Sequence, residues 1–111
     1  MDVVFHCSVG ARGEQTHALA NVENLLDARE DATAVFVANG DGVFALTASS
    51  KHTPRVEALA DRGVSFRACS NSLRTRGIDE GDLAAVVATV PAGVGELARL
   101  QAAGYGYLKV P

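Results

Sequence analysis

Short apolar runs of five or six residues alternate with segments of helical periodicity along the whole chain, and this alternation constrains the fold more than any other feature. "VVFHC" (3–7), "TAVFVA" (33–38), "VSFRA" (64–68), "VVATV" within "LAAVVATV" (83–90), and "YGYLKV" (105–110) read as five strands. Between the first two, Leu19, Val22, Leu25 and Leu26 follow the 3–4 spacing of an amphipathic helix over Glu14–Arg29. "TPRVEALADRG" (53–63) carries helix punctuation: Thr53 to cap, Pro54 for the first helical position, Val56 and Leu59 on one face, and Gly63 to close. Ser70 reads as the cap of a two-turn helix ending at Gly77. Pro91 reads as the opening of a helix that carries Val94, Leu97, Ala98 and Leu100 and stops at Gly104. "GVFAL" (42–46) reads as the start of a further short helix.

Strand alternating with helix, in Val- and Ala-rich strands, predicts a parallel sheet covered on both faces, because parallel pairing needs crossover connections and helices supply them. At 111 residues, with no linker, repeat or low-complexity stretch, a single α/β domain spanning 1–111 is expected. No apolar run approaches the roughly 20 residues that span a bilayer. The start, Met1-Asp2 followed directly by "VVFHC", shows no secretory pattern, so a cytoplasmic protein without membrane attachment is the expectation. Thirteen acidic residues against 10 basic ones, for a formal charge of −3, argue against a nucleic-acid partner, which needs clustered Lys and Arg. Two cysteines make no disulfide framework, no Cys/His spacing fits a zinc site, and the residues indicate no cofactor.

Open parallel sheets bind ligands at the carboxyl ends of their strands. Four places qualify: His6-Cys7-Ser8, the turn Asn39-Gly40-Asp41-Gly42, Cys69-Ser70-Asn71, and the turn at Pro91. Cys69 also directly precedes a helix, where unpaired N–H groups favour an anion and lower a thiol pKa from about 8.5. Arg74 lies one turn along and would add positive charge, as would Arg67 if turned that way. Asn71 is placed to donate to the sulfur, the N–H groups of Asn39 and Gly40 to cradle an anion, and His6 to give a proton. Each position has a structural alternative as well: cysteine is among the most buried residue types, so the local sequence leaves Cys69 open between reactive thiol and packing residue. Tyr105, Tyr107 and Leu108, together with Val43, Phe44 and Leu46, are candidates for a subunit contact.

At "CSNSLRTRGID" the chain resembles the DsrE/DsrF-like family, which includes the DsrE and TusD sulfur carriers. The resemblance runs through "VVFH", "ANGDGV", "LADRGVSFRACSNSLRTRGI", "VPAGVGELARLQAAGY" and "GYLKVP". It is strongest to small stand-alone members with a Cys-x-Asn-Ser/Thr-Leu pattern, here Cys69, Asn71, Ser72 and Leu73. The resemblance implies a three-layer α/β/α sandwich with a five-stranded parallel sheet, assembly as a homotrimer or hexamer, and a persulfide on the cysteine after the third strand. It implies sulfur exchange with a donor or acceptor protein, with Cys69 as the reacting residue. Two other functions stay open: a non-catalytic oligomeric module that binds a small anion at the strand ends, and a thiol redox sensor. Cys7 lies outside the family pattern. If the second strand separates the first and third, Cys7 and Cys69 stand roughly 9–10 Å apart, too far for a direct disulfide.

Overall fold

The computed structural model describes residues 1–111 as a five-stranded, all-parallel sheet in the order β4-β3-β2-β1-β5. The strands are β1 (Asp2–Cys7), β2 (Thr33–Ala38), β3 (Ser65–Cys69), β4 (Val87–Val90) and β5 (Gly106–Lys109). Four α-helices, α1 (Arg12–Ala28), α2 (Thr53–Asp61), α3 (Ser70–Thr75) and α4 (Gly93–Ala102), and two 3-10 segments, Gly40–Leu46 and Glu80–Asp82, make the connections. β2 is the middle strand, so its neighbours on both sides and both faces shield it from water, and Ala34 to Ala38 are all buried. No helix is long and apolar enough to cross a membrane.

The two faces of the sheet are covered unequally. Val3, Phe5 and Cys7 of β1, Ala34, Phe36 and Ala38 of β2, and Phe66 and Ala68 of β3 point to one face. There they meet Leu19 and Val22 of α1, Val43 and Leu46 of the first 3-10 segment, Val56 and Leu59 of α2, and Leu73 of α3. Phe36 and Phe66 stack across the strand pair at 5.3 Å between ring centroids. The alternate residues Val4, Val35 and Val37 point to the other face, where Leu97 and Leu100 of α4 cover them. Because side chains alternate along a strand, the first face takes the large core and the second is held by one helix.

Several element ends differ from the sequence expectation, for local reasons. α1 begins at Arg12 rather than Glu14, with Leu25 and Leu26 only partly buried against the core. Thr53 is the first residue of α2 and not its cap, and its hydroxyl donates back to the Thr47 and Ala48 carbonyls. Cys69, in extended conformation at φ −71°, is the N-cap of α3 in place of Ser70. The fourth strand contracts to four residues, because Leu83 and Ala84 are instead buried beside the first 3-10 segment, to which Leu83 bridges through Thr47. Pro91 stands outside α4, whose cap is Ala92. Val94 faces water at 70 % exposure, leaving the buried stripe of α4 to Leu97 and Leu100. Val43 and Leu46 lie in the core and are unavailable for a subunit contact. Gly63, Gly77 and Gly104 follow their helices with φ of +97°, +66° and +98°, a region that glycine enters without strain. Gly42 has a different cause: a Cβ there would lie 2.3 Å from the Cys7 carbonyl oxygen, so the 3-10 segment can seat on the end of β1 only without one.

An ion triad fastens α4 to the sheet. Arg67 Nη1 of β3 and Arg99 Nε each donate to Glu96 at 2.6 Å, and the Glu96 side chain is largely covered. Arg99 holds the Glu96 carboxyl below the usual carboxylate range; burial opposes this and Arg67 adds to it. A carboxylate with a depressed folded pKa contributes stability that is complete above the unfolded value of about 4.3 and is lost as pH falls through the folded value. Glu96→Gln is therefore expected to lower the urea midpoint at pH 7, and the difference from the unsubstituted chain should shrink as the pH is taken below 4. Urea titrations of both chains at neutral and acidic pH check this; a pH-independent difference would contradict it.

Candidate functional site

The end of β3 and the start of α4 meet at Cys69. The register pairs Ala38 of β2 with Ala68, so Asn39 stands level with Cys69 just beyond the strand ends. Gly93, the first residue of α4, closes over both: a Cβ on it would lie 3.0 Å from Asn39 Cβ, 3.3 Å from Cys69 Cβ and 3.6 Å from a Val37 methyl. The helix can approach the strand end this closely because Gly93 lacks that atom. Cys69 is consequently buried, at 5 % exposure, yet its surroundings are polar. Burial alone would push its thiol pKa up. The Ser72 hydroxyl and the backbone N–H groups of Gly93, Ser72 and Asn71 stand around the sulfur, and their combined pull outweighs burial and brings its pKa below the ordinary thiol value. The Ser72 oxygen accepts the Gly40 N–H at 2.8 Å, which holds the hydroxyl at the strand ends and leaves its own proton available. The stabilisation of the thiolate thus comes from neutral donors at the starts of two helices.

The sequence candidates fall into different places around this sulfur. Asn71 serves through its backbone; its side-chain Oδ1 is taken by Arg74 Nη2 at 2.8 Å. Arg74 is exposed and donates to that neutral amide, Arg67 is paired with Glu96, and neither charge is among the causes that lower the Cys69 pKa. Ser70 is the half-buried first residue of α3. The Gly40 N–H is engaged with Ser72, so it acts on Cys69 through that hydroxyl and does not cradle an anion itself. His6 reaches the site through Asn39: His6 Nε2 and Asn39 Oδ1 are 2.7 Å apart, and His6 Nδ1 lies 2.6 Å from the Tyr107 hydroxyl. With Nε2 protonated, the ring donates to Asn39 and accepts from Tyr107. Burial, with Lys109 adding to it against the Asn39 bond, lowers the His6 pKa and favours that neutral form.

Two residues of the site carry roles that the sequence did not assign: Ser72, which appears there only within the family pattern, and Gly93. The signal for Ser72 was present: it stands three residues after the N-cap, where a hydroxyl can turn back to the cap side chain. For Gly93 nothing local distinguishes it from Gly95 two residues later, beside which no atom crowds.

Cys7 has the opposite environment. It is wholly buried in the larger core, and burial pushes its thiol pKa up against weaker lowering by the Val9 N–H. β2 lies between the strands of the two cysteines, and they point to opposite faces of the sheet. No group of three or more His, Cys, Asp or Glu side chains is arranged to hold a metal ion.

Comparison with known proteins places this geometry in a family. No curated protein matches the chain at a significant level. A protein of unknown function from Methanobacterium thermoautotrophicum, MTH1491, has a solved structure that superimposes with a TM-score of 0.94 at 36 % identity, covering 97 % of each chain. The ychN protein from E. coli shares the fold, with a TM-score of 0.82 at 18 % identity over 98 % of this chain and 99 % of that one. The family model of the DsrE/DsrF-like proteins matches residues 1–110, which takes in every strand of the sheet and the Cys69 site: the chain belongs to the DsrE/DsrF-like family.

Proposed function

We propose that the chain is a sulfur-relay protein that carries sulfane sulfur as a persulfide on Cys69. The observation that carries this reading is the convergence of the Ser72 hydroxyl and the N–H groups of Gly93, Ser72 and Asn71 on Cys69, which favours the thiolate although Gly93 closes over the residue and leaves it 5 % exposed. The thiolate attacks the outer sulfur of a donor persulfide, R–S–SH; a Cys69–sulfur bond forms, the donor S–S bond breaks, and the donor leaves as its thiolate. An acceptor thiolate then attacks the outer sulfur on Cys69, and the Cys69 thiolate departs. Sulfur moves twice with no net oxidation, so neither cofactor nor metal is required. Membership in a family that includes sulfur carriers supports the reading. The depth of Cys7 in the core speaks against a redox sensor built on Cys7 and Cys69. A binding module with Cys69 as a mere wall would not need the donors that converge on its sulfur.

The same family resemblance suggests a homotrimer or hexamer. Phe44, Val86, Val94, Tyr107 and Leu108 are exposed apolar side chains that assembly would cover. Sedimentation velocity is expected to give a trimer or hexamer, and a monomer at micromolar concentration would overturn this part.

Two outcomes test the chemistry. Incubation with polysulfide should add about one sulfur mass to the intact chain, removable by dithiothreitol and absent in Cys69→Ser. An adduct that persists in Cys69→Ser, or none in the unsubstituted chain, would sink the carrier reading. Alkylation rates followed against pH should show one thiol titrating below the ordinary value, and Ser72→Ala should raise that pKa through loss of the hydroxyl beside the sulfur. An unchanged profile in Ser72→Ala would remove Ser72 from the site.

A further inference from the structure

On the other side of the first 3-10 segment, a cleft of about 570 Å³ opens between the start of α1 and the segment Thr47–His52. None of the residues that line it is among those that shift the Cys69 pKa, and its position was not marked by the sequence. α1 is the longest helix, 17 residues, and Ala11 at its N-cap offers no side-chain acceptor for the first-turn N–H groups. Unsatisfied N–H groups at the start of a long helix attract anions. Arg12 and Lys51 line the cleft from its two walls, and no carboxylate lines it. The hydroxyls of Thr47, Ser49 and Ser50 lie along the same wall as Lys51.

The independent observation is His52. The residue is part of the cleft lining, is 5 % exposed, and its buried Nε2 has no hydrogen-bond partner. A buried polar atom left unpaired is costly, so such atoms in folded proteins call for an explanation. No group of the chain satisfies that nitrogen in either tautomer. Burial, and then the positive charges of Lys51, Arg55 and Arg12, hold His52 neutral, which shows how electropositive the surroundings of the ring are.

We propose that this cleft binds the phosphate group of a small ligand, with Arg12, Lys51, the first-turn N–H groups of α1 and the His52 ring as its partners. The site is independent of the persulfide reading. Its volume falls in the range of small-molecule pockets and exceeds what a bare phosphate fills, and the hydroxyl lining suits a polar remainder such as a polyol.

The test is a titration of the isotope-labelled full chain, followed by amide and histidine-ring NMR shifts, with inorganic phosphate in one arm and glycerol 3-phosphate in the other. Saturable shifts confined to residues 11–15 and 47–52, with a Kd on the order of 1 mM or tighter, are expected in at least one arm. Tighter binding of the monoester identifies a phosphorylated metabolite, and preference for inorganic phosphate identifies the free ion. Arg12→Ala and Lys51→Ala, both at exposed positions that leave the core untouched, should each weaken binding about tenfold, as expected for the loss of one charged hydrogen bond. Cys69→Ser should bind as the unsubstituted chain does, which keeps the outcome separate from that of the sulfur chemistry. Absence of saturation in both arms, shifts mapping elsewhere, or affinity indifferent to both substitutions would overturn the proposal.

Discussion

The approach of α4 to the sheet is the contact on which the candidate site depends. One helix covers the second face, through Leu97 and Leu100 packed on Val4, Val35 and Val37. The Glu96 triad pins it to β3, and the missing Cβ of Gly93 lets its first turn press against Asn39 and Cys69. Were the helix held an ångström or two further out, the Gly93 N–H would leave the sulfur. Cys69 would then keep the desolvation that raises its pKa and lose part of what lowers it. The electrostatics of the sulfur are therefore a consequence of helix packing.

The two cysteines show how differently one side chain behaves a short distance apart. Both are nearly inaccessible, so exposure does not separate them. Cys7 ends a strand whose odd residues feed the large core, where hydrocarbon surrounds the sulfur and the neutral thiol is favoured. Cys69 ends a strand at the meeting of two helix starts, where N–H groups have no partner within their own helices. Parallel topology is what gathers such starts at one edge: each crossover helix leaves the sheet from a strand's carboxyl end. The cleft at α1 follows from the same rule on the other face, with Arg12, Lys51 and the unpaired His52 nitrogen in place of a thiol.

Most of the architecture was legible in the chain. Periodicity located five strands and four α-helices in their correct order, since burial of one helical stripe and of short two-sided strands leaves a direct imprint on residue spacing. The glycines that close α2, α3 and α4 could be read because only a residue without a Cβ enters that backbone region cheaply. The family was legible too, in the run from Cys69 to Leu73 and the C-terminal segment, and the match over residues 1–110 bears it out. Ends were less legible: Ser70 looks like a cap and Pro91 like a helix opener, but the caps are Cys69 and Ala92 because sheet geometry and close packing outweigh local cap preference there.

By itself, then, the sequence determined the element order, the parallel class, the family and the placement of Cys69 between a strand and a helix. Tertiary structure alone decided which groups face the sulfur. Asn71 contributes its backbone and not its amide, Arg74 and Arg67 turn to other partners, and Ser72 and Gly93 take the roles that mattered. It also decided that His52, in a polar stretch with no marked pattern, would be buried with a free nitrogen beside Arg12, some forty positions away in the chain. The physical reason is one of range. Backbone preference and hydrophobic spacing act over a few residues and are written locally, whereas the polar surroundings of a buried sulfur or an electropositive cleft join groups that only the packed sheet brings together.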